Sequence, residues 1–267
     1  MQYNTMAREN LVSLLGPIMT ITRKIGADGT PIRTVFSMVT CTRRQSNIDK
    51  GYDSTYNFIV VPVVTKNSKI MEKLQDLEKN DVVFIKGVLC TRRMTHRCVC
   101  PNCQNIEDRT VNRAYIVPID LICLKKGIEY NAAREFMLEH SEFSNEINIV
   151  GYLCADPKRK QNDNVQTPLE YQIAVNRLFR IAEDGEEIRT DFPKIVSYGE
   201  ASFMDEEVLH KGSQVMIDGF MRTRSFTIYY RCQNCDTKYP EKNQLMEIIP
   251  YNIEYLRNCD IPEEEIE

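Results

Sequence analysis

The sequence repeats itself at an offset of 132 residues, and this repeat constrains the fold more than any single motif. The segment DVVFIKGVLCTRR (81–93) aligns with SQVMIDGFMRTR (213–224), which places Gly87 on Gly219. Further downstream IVPIDLICL aligns with IIPYNIEYL at the same offset. Upstream the offset drifts to about 135, where VSLLGPIMT aligns with INIVGYLCA, as loop insertions would cause. The repeat therefore predicts two tandem domains of one fold.

Each copy has the pattern of short β-strands with one helical interruption. Tyr171, Ile173 and Val175 alternate with polar or small neighbours, which is typical of a half-buried strand. After the third predicted strand of the first copy, Ile70 and Leu74 recur at helical spacing. Five strands with a helix after the third is the order of an OB-fold barrel. We therefore predict a mainly β protein of two tandem OB-fold (five-stranded Greek-key barrel) domains with extended Cys-x-x-Cys hairpins.

The repeat also predicts the division of the chain. The expected parts are an N-terminal OB-fold with a Cys-rich hairpin at 1–124, a partly helical linker at 125–145, a C-terminal OB-fold at 146–257 and a disordered acidic tail at 258–267. The final eight residues, DIPEEEIE, contain five acids and no base, and without them the formal charge changes from −4 to +1. A nucleic-acid site therefore depends on local placement of Arg and Lys.

Two Cys-x-x-Cys pairs lie at matching positions of the two copies, between the fourth and fifth predicted strands. The pairs are Cys100 with Cys103 and Cys232 with Cys235. Clustered cysteines in a chain of this length, without a signal-like N-terminus, indicate metal binding more than disulfides. Four thiolates meeting between the copies would give one closed, structural Zn²⁺ site without an open position for substrate.

Two other assemblies of the metal site are considered. A local set of His96, Cys98, Cys100 and Cys103 would strain one tetrahedral ion, and its first two residues have no counterpart in the second copy. A third arrangement joins cysteine pairs across a dimer interface. Neither cysteine pair completes the His-x-Glu and Pro-Cys-x-x-Cys signature of a zinc deaminase, and no phosphate-binding loop is present in the sequence. We therefore expect a shared zinc and no enzymatic activity.

The second copy contains four segments that match a known family. INIVGYLCADP, YQIAVNRLFR, RTDFPKIVSYGEAS and LHKGSQVMIDGFMRTRSF fall in order across about 147–226. They resemble the bacterial single-stranded-DNA-binding protein family, here as a tandem two-OB version with zinc-ribbon-like hairpin inserts. The resemblance implies base stacking on four aromatic positions, which fall on Phe179, Phe192, Tyr198 and Phe226.

Basic residues accompany the aromatic positions. Arg222, Arg224 and Phe226 point to the same side of an extended strand, which suits phosphate neutralisation beside base stacking. Arg177 and Arg180 flank the first aromatic position and complete the predicted DNA-binding set of the second copy.

The first copy departs from the family pattern. Phe58 matches the second aromatic position, but Arg44, Val64 and Met94 occupy the other three. Basic residues persist at Arg43, Arg44, Arg92 and Arg93, and we include them with Phe58 in the predicted DNA-binding set. Either this copy follows the DNA backbone electrostatically or it has become a structural partner.

The leading interpretation is a non-enzymatic protein that binds and protects single-stranded DNA during replication or recombination, with little sequence preference. The alternatives are a tandem OB scaffold for replication or transcription proteins and an RNA-binding protein. A homodimer would supply four barrels, and the acidic tail, with its Asp260-Ile261-Pro262 step, is a candidate docking peptide for partner proteins. No apolar run approaches the ~20 residues that span a bilayer, and the N-terminus lacks a signal pattern, so we expect no membrane contact and a cytoplasmic location.

Overall fold

The computed structural model describes residues 9–43, 56–159, 167–176 and 190–258, of which Arg43 is described for its backbone only. The first repeat contains β1 (Asn10–Ile25), β2 (Pro31–Arg43), β3 (Tyr56–Thr65), α1 (Ser68–Leu74), β4 (Val82–Val99) and β5 (Ile106–Lys125). A helix α2 (Tyr130–Glu139) and a 3-10 turn (Ser141–Phe143) follow. The second repeat contains β6 (Asn145–Leu153), β7 (Lys158–Arg159), β8 (Leu169–Asn176), β9 (Thr190–Asp191), β10 (Lys194–Ser197), α3 (Ala201–Val208), β11 (Gln214–Arg231) and β12 (Lys238–Arg257).

Each repeat closes into a five-stranded barrel. In the first, β1 pairs with both β2 and β4, while β3 pairs with β2 and runs parallel to β5. In the second, β6 pairs with both β8 and β11, while β10 pairs with β8 and runs parallel to β12. With a helix after the third barrel strand in each repeat, this is the strand order of the OB-fold, and the predicted fold class is confirmed.

The two barrels join edge to edge through an antiparallel pairing of β1 with β6, from Asn10 opposite Ile149 to Leu14 opposite Asn145. Backbone hydrogen bonds therefore continue from one barrel into the other. Buried side chains of both barrels also belong to one hydrophobic cluster, which includes Val12 and Ile147 at the junction. Because apolar burial is shared across the junction, the two barrels form one packed unit.

Helix α1 forms where the apolar spacing predicted it. Asn67 precedes the first turn, and its side-chain oxygen accepts hydrogen bonds from the backbone N–H groups of Lys69 and Ile70. This is an N-cap, which satisfies donors that a helix start leaves without partners. Ile70 and Leu74 are buried against the first barrel.

The repeated glycines mark a close approach of two strands. Irregularities of strand register occur at Gly87 in β4 and at Gly219 in β11. A Cβ atom would lie 2.8 Å from the carbonyl oxygen of Val117 at the first position and 2.4 Å from that of Ile249 at the second. Only a residue without a side chain fits there, which explains why both copies have glycine.

A pair of buried asparagines repeats as well. The side chain of Asn10 donates to the carbonyl oxygen of Leu89 at 3.0 Å and accepts from its N–H at 2.9 Å. Asn145 makes the same two bonds with Met221, at 2.8 and 3.1 Å. Each asparagine occupies the start of the first strand and satisfies backbone groups of the fourth strand.

The stretch between the repeats packs on the first barrel. Ala133 and Met137 of α2 are buried against Leu15 and Cys41. Ser144 is buried too, where its hydroxyl accepts from the N–H of Cys41 at 2.9 Å and donates to the carbonyl of Leu15 at 2.6 Å. Across the described ranges, the α-helices have 7, 10 and 8 residues, and none has the length and apolar character needed to cross a bilayer.

Candidate nucleic-acid interface and metal centre

The four cysteines of the two Cys-x-x-Cys pairs converge at the tips of the β4–β5 and β11–β12 hairpins. Their sulfur atoms all lie within 4.8 Å of one another. The Sγ atoms of Cys100 and Cys235 are 3.6 Å apart, as are those of Cys103 and Cys232. Four thiolates about 2.3 Å from a tetrahedral zinc ion would be separated by about 3.8 Å. The shared assembly predicted from the sequence therefore has the geometry to hold a metal ion.

Both hairpin tips have the same backbone turn around the cysteine pair. The N–H of Gln104 donates to the carbonyl of Cys100 at 3.0 Å, and the N–H of Asp236 donates to that of Cys232 at 3.0 Å. Gln104 and Asp236 both have φ of 57°, in the left-handed region that residues other than glycine rarely adopt. Both repeats therefore have the same sparsely populated backbone conformation beside the four-cysteine cluster.

Hydrogen bonds favour the ionised form of two of the thiols. The hydroxyl of Thr237, 3.1 Å from Sγ of Cys235, is the main cause that lowers the pKa of Cys235 to about 6. The side chain of Asn234 is the main cause that lowers the pKa of Cys103. The pKa of Cys232 is raised to about 11, because backbone N–H groups that lower it are outweighed by burial and the neighbouring thiols. Metal binding would displace the remaining protons.

A groove of about 1080 Å³ runs between the two barrels and has walls from both. Arg92 and Arg93 of β4 and Arg113 of β5 line it from the first barrel, and Phe192 and Lys194 line it from the second. Its basic residues number five against the two acids Asp156 and Glu170, the fifth base being Lys158. A chain with a net charge of −4 therefore presents a locally basic groove.

A second groove of about 670 Å³ continues from the first. Phe226 and Lys242 of the second barrel line it together with Val60 and Pro62 of the first. The two grooves share the wall residues Asn112, Arg113, Ala114 and Met246. Phe192 therefore lines one groove and Phe226 lines the other, and the two grooves share a wall.

Phe192 is positioned by the first barrel. The N–H of Phe192 donates to the hydroxyl of Thr91 at 2.9 Å, and the N–H of Thr91 donates to the carboxylate of Asp191 at 2.6 Å. Asp191 is fully buried, whereas the side chain of Phe192 is 48% exposed. These bonds hold the backbone while they leave the ring open to a ligand.

Arg222 and Arg224 lie on the same face of β11, as the period of a strand requires. Arg222 donates to one oxygen of the buried Glu247 at 3.0 Å, and Arg224 donates to the other at 2.8 Å. Arg222 also donates to the hydroxyl of Tyr198 and lies 5.0 Å from its ring centroid, and Arg224 lies 5.7 Å from that of Phe226. The predicted phosphate ligands thus also orient rings, and Glu247 balances part of their charge.

The remaining predicted residues are placed as follows. Phe58 is 43% exposed but faces α2, where the guanidinium of Arg134 lies 5.2 Å from its ring centroid. Val64 is buried and Met94 is exposed, so neither offers an aromatic face. The predicted positions Phe179, Arg177, Arg180 and Arg44, the side chain of Arg43 and the acidic tail lie outside the described residues.

Sequence reasoning missed Arg113, Lys194 and Lys242, which line the grooves. Lys194 had a usable signal, because it follows Phe192 at strand spacing in the sequence DFPK. Arg113 and Lys242 had none, because their position depends on how the two hairpins pack.

Comparison with known proteins agrees with this architecture. Residues 144–231 match the model of the single-strand binding protein family. Single-stranded DNA-binding protein 1 of Chlorobaculum tepidum is 27% identical over 112 residues, which are 42% of this chain and 64% of that protein. The chain thus spans a little less than two thirds of the length of this relative.

Solved structures extend the likeness to both barrels. The crystal structure of wild-type single-stranded DNA binding protein from Thermus aquaticus matches 96% of this chain and 97% of its own, with a TM-score of 0.57 and 15% identity. A deletion mutant of the same Thermus aquaticus protein matches 97% of this chain and 100% of its own, with a TM-score of 0.57 and 16% identity. At this level of identity the likeness establishes a shared fold. The likeness to the single-strand binding protein family therefore lies in the C-terminal barrel, where residues 144–231 match the family model.

Proposed function

We propose that the protein binds single-stranded DNA with little sequence preference, along the continuous path formed by the two grooves. The observation that carries this proposal is the arrangement of one exposed and one half-buried ring beside basic side chains. Phe192 and Phe226 lie at separate points of the path, and Arg92, Arg93 and Arg113 lie between the barrels. Rings can stack on any base, and cations neutralise the phosphates between bases.

The exposed rings favour single strands over duplexes. Stacking on a side chain requires a base whose flat face is free, whereas a duplex covers both faces of each base with its neighbours. Each stacked base contributes about 1–3 kcal/mol, so a few rings are sufficient for tight binding. The resemblance also assigns Tyr198, 43% exposed beside Arg222, to this set.

The first barrel contributes cations to the same path in this proposal. Arg92, Arg93 and Arg113 belong to its β4–β5 hairpin, and the ring of Phe58 faces a helix instead of the grooves. This supports electrostatic contact with the DNA backbone, with stacking concentrated on the second barrel. Arg43 and Arg44, with Phe179, Arg177 and Arg180, remain proposed members of the interface.

We propose that the four-cysteine cluster holds a structural Zn²⁺. The sulfur separations of 3.6 Å and the all-thiolate donor set suit this ion. The ion would supply a crosslink between the hairpin tips, and a closed set of four protein ligands leaves no position for a reacting water. Because the same hairpins form walls of the grooves, the metal would fix the width of the path. We therefore propose a binding protein and no enzyme.

The biological setting is an extension of this proposal. We propose that the protein protects single strands during replication or recombination and that it acts in the cytoplasm. A homodimer would bring four barrels together, and the acidic tail would recruit replication or recombination proteins. The limits 1–124, 125–145, 146–257 and 258–267 remain our proposed division of the chain.

A polarisation titration tests the proposed ligand. Labelled oligo-dT, oligo-rU and a duplex of equal length are titrated with the protein at two salt concentrations. We expect oligo-dT to bind more tightly than duplex, with affinity that falls as salt rises. A preference for oligo-rU would favour the RNA-binding alternative. Absence of binding to all three would reject the proposal and favour the protein scaffold.

A further inference from the structure

A second cluster of potential metal ligands lies beside the four cysteines on the same two hairpins. His96 and Cys98 of β4 face Glu241 of β12, and the ligand atoms of the three residues lie within 4.8 Å of one another. The Nε2 atom of His96 is 3.0 Å from a carboxylate oxygen of Glu241. The local set considered from the sequence is therefore divided: Cys100 and Cys103 join the shared cluster, while His96 and Cys98 meet a residue from the other barrel.

Strand periodicity explains why these residues meet. His96 and Cys98 are two positions apart in β4, so their side chains project from the same face. Tyr239 and Glu241 have the same relation in β12, and Tyr239 packs in one cluster with Cys98. The two faces oppose each other because the hairpins lie side by side, joined at their tips by the cysteine cluster.

One buried polar group at this place, the hydroxyl of Tyr239, lacks a hydrogen-bond partner among the described residues. Cys98 is 1% exposed, and Tyr239 is 3% exposed with a hydroxyl that has no hydrogen-bond partner in the described structure. Buried polar groups are normally hydrogen-bonded, and each exception calls for an explanation such as an ion or a bound water. An ion pair between His96 and Glu241 alone gives the hydroxyl of Tyr239 no partner.

The donor set is suitable for a zinc-like ion. Imidazole nitrogen, thiolate sulfur and carboxylate oxygen are the three ligand types that Zn²⁺ accepts. A divalent ion bound to one thiolate, one carboxylate and one neutral imidazole forms a site of zero net charge, which reduces the cost of burial. The side chains of His96 and Glu241 are 34% and 29% exposed, so an entry path exists for the ion.

We propose that His96, Cys98 and Glu241 form a second site for a divalent transition metal of the Zn²⁺ class. The ion replaces the proton shared between the imidazole and the carboxylate, and the thiol of Cys98 loses its proton on binding. Three protein ligands leave a fourth position for a water, and that water gives the hydroxyl of Tyr239 a partner. The site joins the hairpin of one barrel to that of the other, and it does not depend on the proposed DNA binding.

Metal stoichiometry tests the proposal. The full chain is purified with added Zn²⁺ as the only metal, dialysed, and measured by native mass spectrometry and by colorimetric zinc release. The variants are His96→Ala with Cys98→Ser for the second site and Cys232→Ser with Cys235→Ser for the first. Arg97→Ala is the matched control, since its side chain is 69% exposed in the same strand and is not in the cluster.

We expect two Zn²⁺ per chain in the unchanged protein and in the control, and one in each double variant. One Zn²⁺ that is lost only from the four-cysteine variant would overturn the proposal, as would a metal-free chain. One Zn²⁺ that is lost only from the His96 and Cys98 variant would uphold this site and reject the four-cysteine one. Glu241→Gln keeps the size of the side chain, and we expect it to lower zinc affinity at the second site with unchanged circular dichroism.

Discussion

At the scale of single residues, each described ring of the proposed interface is held by a different partner. The backbone of Phe192 is fixed by Thr91, whereas the rings of Tyr198 and Phe226 lie beside arginines of β11. Rings that are already oriented lose little conformational freedom when a base stacks on them. We therefore expect each ring to contribute a measurable share of the binding free energy.

Replacing Phe192, Tyr198 or Phe226 with Ala is expected to weaken oligo-dT binding by about 1–3 kcal/mol per ring. Polarisation titration measures the change. Phe143→Ala is the matched control, because this phenylalanine is exposed in the 3-10 turn outside both grooves. If each variant loses no more binding free energy than Phe143→Ala does, the assigned stacking is contradicted.

Glu247→Gln is expected to lower the free energy of unfolding by about 1–3 kcal/mol. The carboxylate is buried and accepts from both Arg222 and Arg224, so its neutralisation leaves two cations with weaker partners. Urea denaturation measures the loss, with the exposed Glu254→Gln as control. An unchanged unfolding midpoint would show that the arginine pair needs no counter-charge.

Some residues of the candidate site could be predicted from the sequence, and others could not. The repeat offset predicted the four cysteines as one cluster, because equivalent hairpins in two equivalent domains can meet near an approximate two-fold axis. The resemblance supplied the aromatic positions. Arg113, Lys242 and Glu247 were not predicted, since no local pattern records which side chains will oppose each other after the barrels pack.

At the scale of the elements, the repeated asparagines make the first strand of each barrel dependent on the fourth. Asn10 and Asn145 each satisfy both backbone groups of one residue in the fourth strand. Without the amide, a buried N–H and a buried carbonyl lose their partners. The two positions are therefore expected to behave alike.

We expect Asn10→Ala and Asn145→Ala each to lower the free energy of unfolding by about 1–3 kcal/mol. Asn252→Ala is the control, because this asparagine is exposed on β12. Denaturant titration followed by circular dichroism gives the three values. A lower free energy of unfolding in only one of the two variants would mean that the two asparagines do not contribute equally to stability.

The strands, their order and the helix after the third strand of each barrel could be predicted, because alternation and helical spacing are local properties of the sequence. The pairing of β1 with β6 could not be predicted from the sequence. A strand edge bonds through its backbone, so side-chain patterns do not specify which edge it will meet.

At the scale of the whole molecule, the two barrels share one sheet, one hydrophobic cluster and the cysteine cluster. Loss of metal from the hairpin tips is expected to lower Tm and to weaken oligo-dT binding, since the tips no longer fix the grooves. Differential scanning fluorimetry and polarisation, with and without a zinc chelator, measure both effects. Cys123→Ser is a control that leaves the cluster intact, and an unchanged Tm after verified metal loss would contradict a structural role.

The basic residues of the first barrel are expected to contribute to the salt dependence of DNA binding. Each phosphate contact removed lowers the salt dependence of binding to a single strand by about 0.7 unit of log–log slope. We expect the double change of Arg93 and Arg113 to Ala to reduce the slope by about 1.4. Lys126→Ala, an exposed change outside the grooves, is expected to leave the slope unaltered.

The most direct test of a single path across both barrels is ultraviolet crosslinking of oligo-dT to the full chain, followed by peptide mass spectrometry. We predict adducts on peptides that contain Phe192 and Phe226 and also on first-barrel peptides that contain Arg93 or Arg113. Adducts confined to one barrel, or spread over faces remote from the grooves, would contradict the account.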